Sequence, residues 1–280
     1  MTSIAASVSA VRRAYAEGRF GQMHYRIARP QDDEARVPLI CLHQTPKSGR
    51  DFETLMTVMG QGRVCIAPDT PGYGDSDAPA EPPSIADYGG AMLDLIDGLQ
   101  AGGVLPAGPV DLMGYHTGGV IAAWIARQYP ERVRRVVFVS LAALDPAVRA
   151  ERLANMHIFP VPCADGSAIP SLWSLTESLN DARLDPEWRH KALAECLRSG
   201  ARMPWGFRAV FDHDMQDDLR TLRQPALVLC PRDDLWDETQ AGVALLADAR
   251  LIPFPDAGNG FLDLDTARVA EILSGFLNEV

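Results

Sequence analysis

Apolar positions along this chain fall into two alternating rhythms. Continuous apolar runs of strand length occupy residues 37–42 and 225–230, and mainly apolar strand-length segments lie at 63–67, 133–140 and 250–254, with a short one starting at Val110. Runs apolar at every position suit strands covered on both faces, as in a parallel sheet. Between them lie segments with apolar residues at helical spacing: 51–59, with Asp51 as its expected N-cap, then 85–99, 237–246 and 266–277. Weaker alternation at 11–16 and 19–28 predicts two opening strands, followed by a charged turn over 30–36. This beat of strand, loop and amphipathic helix implies parallel βαβ units in a three-layer α/β architecture. It stops at residue 141. From there to 217 no buried strand is expected, only helical patterns at 146–156, 171–180 and 186–199 broken by proline and glycine. The pattern therefore predicts one α/β core, residues 1–140 and 218–280, interrupted by a helical lid over 141–217.

Composition narrows the class of partner more than it narrows the fold. The 280 residues carry a formal charge of −11, which argues against a nucleic-acid or anionic-membrane partner, since either would want a basic face. No apolar run is long enough to span a bilayer, and residues 1–10 lack the basic and apolar regions of a secretory signal. Of the five cysteines, Cys41, Cys65 and Cys230 lie in apolar runs and read as small core residues. A cytoplasmic monomer or homodimer acting on a small-molecule substrate is the expectation. No spacing of ligand residues suggests a metal, and no cofactor is expected.

The chemistry concentrates in one turn. Gly114-Tyr115-His116-Thr117-Gly118 follows a predicted strand and opens a predicted helix. It fits the frame Gly-x-nucleophile-x-Gly, in which a sharp turn lifts one side chain above the sheet, usually serine. Here that residue is histidine.

Further motifs complete a resemblance to the α/β-hydrolase superfamily over nearly the whole chain. His43-Gln44-Thr45-Pro46 is similar to the His-Gly-x-Pro loop after the third strand. Asp69-x-Pro71-Gly72-x-Gly74-x-Ser76 matches the family's Asp-x-Pro-Gly-x-Gly-x-Ser loop, and Asp233-Asp234 and Ala257-Gly258 fall in family order. The resemblance implies a mostly parallel eight-stranded sheet and a Ser, Asp, His triad. In this chain Asp234 stands at the acid position, with Asp233 as the less favoured alternative, while His116 replaces the serine and Asn259 the histidine. The resemblance also implies an oxyanion hole from the backbone N–H groups of Thr117 and Thr45.

Without a hydroxyl at the elbow or a base in the last loop, the acyl-enzyme mechanism is not expected. An imidazole at position 116 reaches toward the volume that the absent loop histidine leaves. His116 paired to Asp234 is therefore the expected general base, with Asn259 positioning substrate, water or the carboxylate. His43, Gln44, Tyr115, Trp173, Trp205 and His213 are the candidate substrate-lining residues, His43 also serving to hold its loop. The leading expectation is hydrolysis of an ester, lactone, amide or C–C bond in a partly apolar carbonyl compound. A lyase, isomerase or cyclase using the same base, and an inactive ligand-binding protein, are the alternatives.

Overall fold

A computed structural model describes residues 9–31 and 36–279. The N-terminal stretch read for a signal and the charged turn at 30–36 lie largely outside the described residues. One eight-stranded sheet runs through the core: β1 (Arg12–Gly18), β2 (Gly21–Ala28), β3 (Leu39–Leu42), β4 (Cys65–Pro68), β5 (Val110–Tyr115), β6 (Val133–Val139), β7 (Ala226–Pro231) and β8 (Ala249–Phe254). Their spatial order is β1-β2-β4-β3-β5-β6-β7-β8. The two opening strands pair antiparallel, and every pair from β4 to β8 is parallel. Strands β3 to β7 are buried at every position except two in β6, as continuous apolar runs require in a sheet covered on both faces.

Helices α1 (Glu53–Met59), α2 (Ile85–Ala101) and α3 (Thr117–Gln128) follow β3, β4 and β5. The segment between β6 and β7 carries α4 (Pro146–Ala154), α5 (Ala168–Leu179), α6 (Pro186–Ser199), α7 (Trp205–Asp212) and α8 (Met215–Thr221). The chain then adds α9 (Trp236–Val243), α10 (Phe261–Leu264) and α11 (Thr266–Leu277). Two apolar clusters sandwich the sheet. One joins it to α2, α3 and α8, and the other joins it to α1, α10 and α11. Among the described residues, no helix is long and apolar enough to cross a membrane.

Two local expectations change. The helix after β3 begins as a 3₁₀ turn, Gly49–Phe52, and its N-cap is Ser48, whose hydroxyl accepts from the Arg50 N–H. Asp51 sits inside that turn instead of capping it, because the tighter start shifts the cap three residues upstream. Helices α7 and α8 had no distinct sequence signal. They are short, and α8 packs on α3 of the core.

The Asp69 loop is a staple for the ends of these strands. Its carboxylate accepts from the backbone N–H groups of Gly49 and Asp75, and lies 2.8 Å from His24 Nδ1 and 3.1 Å from Arg26 Nη1. Gly74 sits there at φ +54°, the left-handed region that glycine adopts without steric cost. The family-like motif thus fixes the loops after β3 and β4.

Candidate active site

The order β4-β3-β5-β6 places a crossover reversal beside β5, and the carboxyl ends of strands flanking such a point are where α/β sheets form crevices. Five neighbouring strands each deliver one group there: Gln44 after β3, His116 after β5, Ser140 after β6, Asp233 after β7 and Asn259 after β8.

His116 occupies the turn between β5 and α3 with φ 46° and ψ −110°. Left-handed backbone is costly for a residue with a Cβ and is retained where surrounding structure over-determines it. The glycines beside it make the turn possible. A Cβ at Gly114 would overlap the Gly118 backbone, and one at Gly118 would overlap the carbonyl oxygen of Leu42. The chain therefore passes directly under the loop after β3, and the His116 side chain rises above the sheet.

The partner of His116 is Asp233, not Asp234. Nε2 of the imidazole lies 2.8 Å from Asp233 Oδ2. Asp233 Oδ1 accepts from the Leu235 N–H at 3.0 Å, an Asx turn that points the carboxylate back toward β5 and β6. The next residue in such a turn projects the other way, so Asp234 is exposed. Its carboxylate nevertheless stays near, since His116, Asp233 and Asp234 bring polar atoms within 4.8 Å of one another. A cation there would have to displace the N–H and O–H donors that already occupy both Asp233 oxygens.

The pair's electrostatics follow from burial against charge. Burial pulls the imidazole pKa down, but the Asp233 charge and hydrogen bond outweigh it and hold His116 above its ordinary value. Burial pushes Asp233 up, and the His116 charge with hydrogen bonds from His116, Ser140 and Leu235 brings it below the usual carboxylate range. With Nε2 engaged, Nδ1 is the ring nitrogen left for chemistry. It makes no hydrogen bond among the described residues.

Asn259 does not reach the pair through a hydrogen bond. Its Oδ1 accepts from Gln44 Nε2 and from the Tyr115 hydroxyl, each at 3.0 Å. Two donors on one oxygen fix the amide orientation and leave Nδ2 as its free donor end. Gln44 and Tyr115 are buried and hold the Asn259 amide in place. His43 is likewise internal: its ring spans 2.8 Å from Nδ1 to the Gln44 carbonyl, while Nε2 accepts the Thr70 N–H at 2.9 Å. These bonds require the neutral tautomer with Nδ1 protonated, and burial lowers its pKa accordingly. Thr117 is the first residue of α3, and Thr45 is buried against Gly206 of α7.

Of the remaining candidates, His213 lies apart from the site. His213 Nε2 lies 2.6 Å from Asp218 Oδ2, in a cluster with Arg127 where α8 meets α3. It is the C-cap of α7 and lines a cleft with Pro82, Ile85 and Arg208. Trp173 packs against His190 within the insertion. Trp205 begins α7, the helix whose next residue abuts Thr45. Ser140 and Asp51 were not expected in the network. Ser140 donates to Asp233 Oδ2 at 2.6 Å. Asp51 interacts with the Gln44 side chain and keeps a buried, unpartnered Oδ2. Only position directly after buried β6 hinted at Ser140, and nothing in the pattern hinted at Asp51.

The fold is the α/β-hydrolase fold. A model of the family described as alpha/beta hydrolase fold matches residues 37–160, and solved structures align over nearly the whole chain. An esterase from Exiguobacterium antarcticum superimposes with TM-score 0.77 at 17% identity, covering 96% of this chain and all of that one. The enol-lactonase from Burkholderia xenovorans LB400 gives TM-score 0.74 at 19% identity, covering 95% and 100%. Among curated sequences, 2-hydroxymuconate semialdehyde hydrolase of Pseudomonas sp. strain CF600 is 27% identical over 89% of both chains. The non-heme haloperoxidase of Rhodococcus erythropolis is 22% identical, covering 85% of this chain and 91% of its own. These names and the fold point to a hydrolase-fold enzyme.

Proposed function

We propose that the protein is a cofactor-free hydrolase of a small, partly apolar carbonyl compound, with His116 as general base and Asp233 behind it. The observation that carries this reading is the strained, raised imidazole whose Nε2 is held at 2.8 Å by a buried carboxylate. In the proposed cycle Nδ1 takes a proton from water as the water oxygen attacks the carbonyl carbon. The imidazolium keeps its Nε2–H on Asp233 and returns the Nδ1 proton to the leaving group. Such proton transfer contributes a factor of about 10²–10⁴. The backbone N–H groups of Thr117 and Thr45 and the Asn259 Nδ2 amide are the proposed donors to the developing oxyanion, each able to contribute on the order of 3 kcal/mol. A relative named as a semialdehyde hydrolase and a fold neighbour named as an enol-lactonase favour an ester, lactone or activated C–C bond.

The insertion acts as a lid in this reading, and its closure is tied to Asn259. The Asn259 N–H donates to the Leu179 carbonyl, Asp181 N–H donates to the Asn259 carbonyl, and Gly258 N–H donates to the Asp181 carboxylate. Lid and donor loop therefore move as one.

Turnover of p-nitrophenyl acetate by wild type and His116→Ala tests the assignment. His116→Ala loses at least about 100-fold in kcat with an unchanged unfolding midpoint, and fluorophosphonate leaves the wild type unlabelled. Stoichiometric phosphonylation of a hydroxyl, or undiminished kcat, overturns it. The same base without a nucleophilic hydroxyl also serves a lyase or isomerase, and products lacking solvent ¹⁸O would select that second reading.

A further inference from the structure

Among the described residues, two that are not glycine have positive φ: His116 at 46° and Ser140 at 57°. Both touch the same atom. His116 Nε2 lies 2.8 Å from Asp233 Oδ2, and the Ser140 hydroxyl donates to that oxygen at 2.6 Å. Ser140 is completely buried where β6 ends. Its N–H donates to the Leu229 carbonyl of β7, and the next N–H, of Leu141, is held by the Thr239 hydroxyl at 2.8 Å. The backbone is thus pinned on both sides in a conformation that glycine would adopt at less cost. A serine there brings one thing glycine lacks, a hydroxyl aimed at the carboxylate.

We propose that Ser140 is a positioning residue of the reaction, which locks Asp233 onto His116 and sets how readily the imidazole binds a proton. The proposal rests on the reading of His116 as base. A hydroxyl donating to a carboxylate disperses its charge and weakens its pull on the imidazolium. With Ser140 in place, the proton stays on Nε2 throughout, and His116 gives up its Nδ1 proton more readily to the leaving group. Without it, Asp233, still held by the Leu235 N–H, becomes more basic, so His116 is more often protonated near neutral pH and less often a base. The other charges facing His116 are Asp234, from the same loop as Asp233, and Asp51, from the 3₁₀ turn after β3. Both are carboxylates that a Ser140 substitution leaves in place.

The test is the proton NMR titration of the His116 Cε1–H, assigned by its loss in His116→Ala, in wild type, Ser140→Ala and Ser140→Gly. Both substitutions raise the His116 midpoint by about 0.5–1 pH unit. Where ester turnover is measurable, the alkaline-rising limb of the pH–rate profile moves by the same amount with KM unchanged. Ser140→Gly keeps the midpoint shift while relieving the backbone, which separates the hydroxyl's effect from any folding defect of Ser140→Ala. An unmoved or lowered midpoint in the folded variants overturns the proposal. Because the titration needs no turnover, a raised midpoint in an enzyme inert to esters would retain Ser140's role and refute only the proposed reaction.

Discussion

Replacing Asp51 by asparagine changes stability in a way that depends on pH, and the structure supplies the size. Asp51 lies in the 3₁₀ turn after β3, with Oδ2 shielded from water and from any partner. Burial raises its carboxyl from 3.8 to about 7, with Glu195 and Asp263 adding repulsion and Lys47 and Gln44 opposing it. The native state therefore binds a proton that the unfolded chain releases. Stability is undiminished below about pH 3.8, falls as pH rises through about 7, and is level above that. Roughly three pH units at 1.36 kcal/mol each set an upper bound of about 4 kcal/mol lost by pH 8. Relaxation and water entry around an ionised buried carboxylate cut this to about 1–2 kcal/mol. Asparagine keeps the shape, accepts the same Gln44 hydrogen bond and never ionises. Urea unfolding of wild type and Asp51→Asn at pH 4 and pH 8 reads the difference directly. Asp51→Asn matches wild type at pH 4 and exceeds it by about 1–2 kcal/mol at pH 8. Equal differences at the two pH values would refute the argument, since every other titrating group is common to both proteins.

Two more outcomes follow from the same geometry. Because His116 is held above its ordinary imidazole value and must be neutral to act as base, log kcat/KM rises with pH to a break above 6.5 and then levels. Asp233, held below the usual carboxylate range, stays ionised throughout, and a profile flat from pH 5 to 9 would exclude the pair. Gly118→Ala forces a methyl into the Leu42 carbonyl, costing about 1–3 kcal/mol and displacing the Thr45 loop. An unchanged urea midpoint would show that the close approach under β3 is not rigid.

Much of the architecture was legible because it is a local property. Continuous apolar runs become buried parallel strands wherever both faces are covered, and the bounds of α6 and α11 coincide with their sequence patterns. The turn around His116 was legible for the same reason. Gly114 and Gly118 permit a close approach that larger residues forbid, and they do so within five residues of chain. The short helices α7 and α8 were not legible, since seven or eight residues give too few turns for a periodic signal.

Choice of partner was another matter. Sequence order alone brought His116, the Asp233-Asp234 pair, Gln44 and Asn259 to strand ends, but it could not say which way each side chain turned. The Asx turn at Asp233 decided that this carboxylate faces inward and its neighbour outward. The loop after β8 folds back across β5 to β3, and on that path Gln44 and Tyr115 support Asn259. Ser140 entered the site because β6 lies between β5 and β7 in the sheet. Patterns of apolar and polar residues encode which segments are buried, because burial depends on each segment's own surface. Hydrogen-bond partners are chosen by loops from distant parts of the chain, and those meet only once the sheet has assembled.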